Sequence, residues 1–257
     1  YNGHKYIDET INSVLNQTFP YWEWIIVNDG SPDNSEKIIK KYVDKYPKNI
    51  DYVVKENGGL ASAKNEGLKH IKAEYINFFD PDDTLPKNTL REVYRFFNIN
   101  KLYIDMVTLP LYHFEAATGL HGKYNYIKKE NHIVDLTQEP YNFILSSAAS
   151  FYKHDVIKNK RFNEEMRGAE DTILNHELFL DNPKFGFVCG NGVRYNYRKR
   201  EAGTSIVDGL KQNKKGFTTI LNFFEKIDIN NLKDFEKEMI IYELRSRIFN
   251  ISPECFD

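Results

Sequence analysis

The sequence predicts an α/β domain: a mostly parallel sheet flanked by helices on both faces. Three observations lead there. Helix-period and strand-period patterns alternate through the first half of the chain. Each short apolar run there ends in a turn rich in Asn, Asp or Gly. The composition is that of a folded chain: of 257 residues 14 are Gly and 9 Pro, too few for a disordered or collagen-like polymer, and 41% are hydrophobic, enough for a core.

The elements follow in order. Ile7, Ile11, Val14 and Leu15 recur at i, i+4, i+7 and i+8, an apolar helix face that Pro20 follows rather than interrupts. Trp22 to Val27 reads as a buried strand ended by Asn28-Asp29-Gly30-Ser31. Ser35 to Lys45 is helical, with Ile38, Ile39 and Tyr42 on one face. Tyr52 to Val54 is the next strand, followed by the turn Asn57-Gly58-Gly59 and a helix from Leu60 to Ile71. Tyr75 to Phe79 is a strand running into Asp80-Pro81-Asp82-Asp83, and Pro86 stands near the start of a helix continued by Leu90, Val93 and Phe97.

The second half is less regular. Met106 to Phe114 reads as a strand and Gly119 to Lys129 as a hairpin. Asp171 to Leu180 reads as a helix, Phe185 to Val188 as a strand, and Arg194 to Arg200 as a basic aromatic segment. From Gly216 the pattern turns helical, through Ile220, Phe223, Phe224, Phe235, Met239 and Tyr242. The expected organisation is one catalytic-type α/β domain over 1–215 and a helical extension over 216–257, leading toward a further module. Tyr1 to Lys5 resemble the loop after a strand, so a first strand is expected to lie upstream of Tyr1.

Charge and cysteine content exclude several classes. Lys and Arg number 35 against 37 Asp and Glu, so no global basic field calls for nucleic acid. Cys189 and Cys255 lie far apart with no CxxC, which argues against a zinc site or disulfide framework and suits a reducing cytosol. No apolar stretch reaches the roughly 18–20 residues that span a bilayer. A cytoplasmic protein is expected, with peripheral association at the inner face of the membrane left open, as is the oligomeric state.

In a parallel sheet, ligands bind beyond the carboxyl ends of the strands. The turns Asn28–Ser31, Asn57–Gly59 and Asp80–Asp83 all follow strands, so they should gather on one edge. Asp80, Asp82 and Asp83 concentrate negative charge there, which a divalent cation would compensate; a solvated acidic turn before a helix is the plainer alternative. Asp29 could accept hydrogen bonds from a nucleotide base, or simply cap the next helix. Asn57, Lys64 and Asn65 surround a helix N-terminus suited to phosphate, though a solvated face would look the same. Asp171, after Glu170, could be a general base or an N-cap. Arg200 and Ser205 offer donors for a diphosphate, or ordinary surface.

Taken together, these blocks resemble family 2 glycosyltransferases of the GT-A type over roughly Tyr1 to Ser205. The resemblance rests on Tyr1-Asn2, Ser13–Thr18, Val27–Ser31, Asn57–Gly59, Lys64–Gly67, Phe79–Asp83, Glu170-Asp171 and the Arg200–Ser205 segment, in the family's order and spacing. It implies that Tyr1 and Asp29 hold the base, with Asn57 and Lys64 on the donor, and that Asn65 sits near base and diphosphate. Asp80 and Asp82 would form the D-x-D element on Mn²⁺ or Mg²⁺, with Asp82 the more direct ligand. Asp171 would be the catalytic base, and Arg200 and Ser205 would close over the donor. The implied reaction is inverting transfer from a nucleotide-diphosphate sugar, expected to be a UDP-sugar, to a glycan, polymer or lipid-linked hydroxyl. In bacterial relatives this builds wall or capsular polymers. Asn28 stands where the family commonly has Asp, and Lys64 where Arg is usual. Alternatives are a carbohydrate- or nucleotide-binding module without turnover, which the presence of Asp82 and Asp171 opposes, and a sugar nucleotidyltransferase, which would want a Gly-rich basic loop near the first strand.

Overall fold

A computed structural model describes residues 2–122, 124, 128–143, 146–166, 170–200, 222, 225 and 229–248. The first helix, α1 (Ile7–Leu15), buries Ile7, Ile11 and Val14 on one stripe, as its spacing dictates, and carries Asp8 and Glu9 in its first turn, where the helix dipole favours them. It is followed by β1 (Trp24–Asp29), α2 (Ser35–Lys45), β2 (Ile50–Lys55), α3 (Leu60–Leu68), β3 (Tyr75–Asn77) and α4 (Thr89–Asn100). Strands β1 and β2 pair in parallel, with Asp29 opposite Lys55 at the end of the ladder. Ile7, Ile11, Ile26, Ile39 and Ile50 close the small core that α1 and α2 make with these strands.

The main sheet has five strands in the order β3-β8-β4-β9-β7, adding β4 (Met106–Thr108), β7 (His132–Asp135), β8 (Ser150–Lys153) and β9 (Lys184–Phe187). It is mixed: β4 and β9 run parallel, whereas β8 is antiparallel to both β3 and β4, and β7 is antiparallel to β9. Neighbouring residues of one strand enter opposite cores, as alternation demands. Met106 and Tyr152 join the layer containing Leu174, Leu178 and Phe179, while Val107 and Phe151 pack with Val93 and Phe97 of α4. Helices therefore cover both faces. Phe97 is fully buried, and a burial of that size contributes roughly 1.5–3 kcal/mol. Gly186 of β9 makes room for α4, since a Cβ there would come within 2.4 Å of the Phe96 ring.

The run expected as one strand from Met106 to Phe114 is two. It breaks at Leu109-Pro110, because proline has no N–H to continue a ladder. β5 (Leu111–Glu115) then leaves the main sheet and joins a third one, β10-β5-β6, with β6 (Gly119–Leu120) and β10 (Tyr195–Lys199). β6 returns antiparallel on β5, the start of the expected hairpin; residues 123 and 125–127 of that hairpin lie outside the described residues. β7, β8 and the short α5 (His154–Ile157) have no clear pattern in the sequence.

Helix α6 (Glu170–Asp181) occupies the expected place. Of the helical pattern after Gly216, Ile220, Phe223 and Phe224 lie outside the described residues. Helix α7 (Asp234–Ile248) is present and docks Phe235 and Met239 into the same core as Leu178 and Phe179. Its outer surface is tied down by a 2.6 Å hydrogen bond from Tyr141 to Glu238. Helix α7 thus shares the core of the α/β domain.

Candidate active site

The turns after β1, β2 and β3 gather at one edge, and each is built differently. Asp29 is 3% exposed at the end of β1. Its Oδ1 accepts the Lys55 ammonium and the Gly58 N–H, both at 2.9 Å, and its Oδ2 accepts the Gly59 N–H at 2.8 Å. The Asn57 amide donates to the Asp29 carbonyl at 2.9 Å. Burial pushes the Asp29 carboxyl up, but Lys55 and the two backbone donors outweigh it and hold the group below its ordinary value. Gly30 and Gly59 have φ of +67° and +88°, which favours glycine. At Gly30 a Cβ would also crowd the Asn57 nitrogen at 3.1 Å. Asn28, in place of an acid, links the Tyr52 hydroxyl at 2.7 Å to the Ser31 N–H at 2.9 Å.

On α3, Lys64 and Asn65 grip different segments of the second half of the chain. The Lys64 ammonium, its side chain only 9% exposed, lies 2.7 Å from Glu170 and 3.0 Å from the Ser147 hydroxyl, over the Phe162 ring. Burial lowers its pKa, but Glu170, Asp171 and Asp80 together raise it above the ordinary value. The Asn65 amide donates to the Phe162 carbonyl at 2.9 Å and to Glu164 at 2.8 Å, and its oxygen accepts the Phe162 N–H at 2.8 Å. Asn65 is thus a clamp on residues 162–164. Asp171, half-buried at the start of α6, accepts the Ser147 N–H at 3.1 Å. Ser147 therefore bridges Lys64 and Asp171, a link no sequence pattern announces because half of it is a backbone donor.

The acidic turn after β3 is tied at nearly every peptide. The Pro81 carbonyl accepts the Thr10 hydroxyl of α1 at 3.0 Å, and the Asp82 carbonyl accepts Arg198 Nε at 2.6 Å. Asp83, 1% exposed, accepts the Arg198 N–H at 2.7 Å through Oδ1, while Oδ2 is buried near Tyr195 without a partner in hydrogen-bonding geometry. Arg200 forms an ion pair with the Asp82 carboxylate. Burial first, then Asp82, Glu170 and Asp171, raise the Asp80 carboxyl above its usual range against the pull of Lys64. Asp83 is raised likewise, by burial and then by Asp80 and Asp82.

Negative charge is thus in surplus at this edge. Among the described residues, no three His, Cys, Asp or Glu side chains converge as a metal cage. The donor set fits a hard cation held by one or two carboxylates and completed by phosphate oxygens. Tyr1 and Ser205 lie outside the described residues; Asp29, Asn57, Asp80 and Asp82 lie at the strand ends and turns just described, Lys64 and Asn65 in the middle of α3, Asp171 at the start of α6, and Arg200 directly after β10.

The fold and this edge define a GT-A-type domain. The chain belongs to glycosyl transferase family 2, whose sequence profile matches residues 1–159. It is 38% identical over 244 residues to the minor teichoic acid biosynthesis protein GgaB of Bacillus subtilis, covering 94% of this chain and 27% of that protein. It is 25% identical over 257 residues to the poly(ribitol-phosphate) beta-N-acetylglucosaminyltransferase TarS of Staphylococcus aureus, covering 98% of this chain and 43% of TarS. The chain therefore spans less than half of either relative. The crystal structure of S. aureus TarS 1-349 in complex with UDP-GlcNAc superposes with a TM-score of 0.80 at 24% identity, over 99% of this chain and 72% of that one. The mannosyltransferase PcManGT of Pyrobaculum calidifontis, in complex with GDP-Man and Mn²⁺, gives 0.70 at 14% identity, over 97% and 68%. These likenesses establish the fold. Among the described residues no helix is long and apolar enough to cross a membrane.

Proposed function

We propose that this chain is the catalytic domain of an inverting glycosyltransferase that moves a sugar from a UDP-sugar, of the N-acetylhexosamine class, to a hydroxyl of a polyol-phosphate wall polymer. The observation that carries the reading is the paired acidic centre: Asp171 at the start of α6 and the Asp80–Asp83 turn, with Lys64 between them electrostatically. The relatives GgaB, named for minor teichoic acid biosynthesis, and TarS, named for acting on poly(ribitol-phosphate), support the polymer class.

Asp171 is the general base. Its carboxylate takes the proton of the acceptor hydroxyl as that oxygen attacks the anomeric carbon, opposite the leaving diphosphate. The bond from the anomeric carbon to the β-phosphate oxygen breaks, leaving its electron pair on the phosphate. The Ser147 N–H orients the carboxylate for this transfer. Lys64 supplies a fixed positive charge toward the diphosphate, and Arg200 and Ser205 are further donors for it. Asp29 and Asn57 shape the base pocket with Tyr1, and Asn65 enters by anchoring residues 162–164. Bound at Asp82 and Asp80, Mn²⁺ or Mg²⁺ would neutralise charge on the leaving group.

Thermal shift with UDP-, GDP-, ADP- and CDP-sugars, with and without Mn²⁺, tests the donor. UDP-sugars should stabilise most and only fully with metal, since ligand stabilisation grows as RT ln(1 + [L]/Kd). Greater stabilisation by a GDP- or ADP-sugar would overturn the donor assignment.

A further inference from the structure

Arg198 on β10 and Arg200, directly after that strand, both reach Asp82, at different atoms. Arg200 is paired with the Asp82 carboxylate and is 31% exposed. Arg198 reaches the Asp82 main-chain carbonyl with Nε at 2.6 Å, and its side chain is 2% exposed. The Arg198 guanidinium lies between the rings of Tyr6 and Phe114, 4.5 and 4.4 Å from their centroids. Its remaining nitrogens pair with Glu9 of α1 and Glu115 of β5. Its own backbone N–H holds Asp83.

We propose that Arg198 is a positioning residue that locks the Asp82 peptide, so that the Asp82 carboxylate faces the cation and diphosphate while Arg198 itself touches neither. The inference rests on the functional reading above. A cation that takes Asp82 must displace or share the Arg200 pairing, because both act on the carboxylate. The Arg198 bond is to the carbonyl and survives that exchange. Its geometry also requires arginine. A planar fork can lie flat between two rings while donating from its edge toward Asp82, Glu9 and Glu115; an ammonium is a point charge with no plane to stack. Three chain segments, α1, β5 and the acidic turn, are thereby fixed to one group. Glu9 and Glu115 are 58% and 44% exposed, so they keep solvent contact and compensate the buried cation from its outer edge.

The experiment is calorimetric titration of UDP, with and without Mn²⁺, into the intact protein and its Arg198→Lys and Arg198→Ala variants, alongside thermal melts. Arg198→Lys should keep the fold and the metal-free UDP affinity. The gain in UDP affinity on adding Mn²⁺ should fall about tenfold to a hundredfold, the scale of losing a group that orients a metal ligand. Millimolar guanidinium should restore part of that gain in Arg198→Ala by refilling the slot between Tyr6 and Phe114. A parental metal-linked gain in Arg198→Lys would overturn the proposal. So would an equal loss of metal-free UDP binding, which would make Arg198 a donor contact. A parent with no metal-linked gain would instead overturn the functional reading, a separate and recognisable failure.

Discussion

At the end of β1, a single carboxylate receives an ammonium and two backbone N–H groups, all from the strand and turn next to it. At the end of β3, three carboxylates crowd one turn, and the arginines bonded to it, Arg198 and Arg200, come from more than a hundred positions further along the chain. Asp29 is held below its ordinary pKa, whereas Asp80 and Asp83 are pushed above theirs. The first turn satisfies its charge within its own chain and becomes a rigid wall. The second holds its carboxylates close enough to raise one another, an arrangement that a bound cation would relieve. Under the proposed function, reactive chemistry falls to the second region and shape to the first.

The sharpest way to break this contrast is at Asp171, on the acidic side. Asp171→Asn should lower transfer about 10²- to 10⁴-fold, the scale of general-base catalysis, with UDP-sugar affinity nearly unchanged. Steady-state transfer beside calorimetric donor binding measures both, and near-parental turnover would return Asp171 to an ordinary helix-start residue. Next comes Asp82→Asn, expected to weaken Mn²⁺-dependent UDP binding by at least about tenfold to a hundredfold. Binding and turnover should fall together there, and insensitivity to a chelator in parent and variant alike would remove the cation from the site.

Changes on the satisfied side should act on stability first. Asp29→Ala strands the Gly58 and Gly59 donors and the Lys55 ammonium. Loss of about 1–3 kcal/mol is expected from denaturant melts, with weaker UDP binding as a secondary effect. Unchanged stability with lost uridine selectivity would make Asp29 a base reader alone. The smallest effect concerns acid. Asp29 is lowered by Lys55 and backbone donors against burial; Asp33, lowered against burial too, accepts the Ser35 and His4 backbone N–H groups and faces the His4 ring. Their folded pKa values lie below the unfolded value near 3.9, so their stabilisation is fully present above about pH 4 and is lost as pH falls through the folded values. Melts at pH 7 and pH 3 should show a smaller acid loss for Asp29→Asn than for the parent. An identical loss would mean that other carboxyls carry the acid sensitivity.

Much of the edge was legible before any coordinates, because its signals are local. An apolar strand followed by Asn-Asp-Gly or Asp-Pro-Asp must end where the backbone turns; parallel pairing sets the ends of β1 and β2 side by side, while β3 reaches the same edge from a different sheet, paired with antiparallel β8. Asp29, Asn57, Asp80 and Asp82 could be singled out on that ground, and Asp171 from its place before the apolar run Ile173-Leu174. Asn65 shows the limit: its helix start suggested a phosphate contact, but its amide is committed to Phe162 and Glu164, nearly a hundred residues away. Ser147 could not be found at all, since it acts partly through a peptide N–H. The split of Met106–Phe114 between two sheets turned on one missing donor at Pro110 and on a partner strand, β10, far along the chain.

The sequence by itself determined the α/β alternation, the helix stripes, and the fact that acid and glycine follow the strands, because side-chain period and backbone preference act over a few residues. Only the tertiary structure decided which charges meet. Lys55 reaches Asp29 because parallel register sets the two strand ends side by side. Arg198 sits over the Tyr6 and Phe114 rings because α1, β5 and β10 converge on the acidic turn. Charge pairing depends on separation in space and on exclusion of water, and neither quantity exists until the chain has closed on itself.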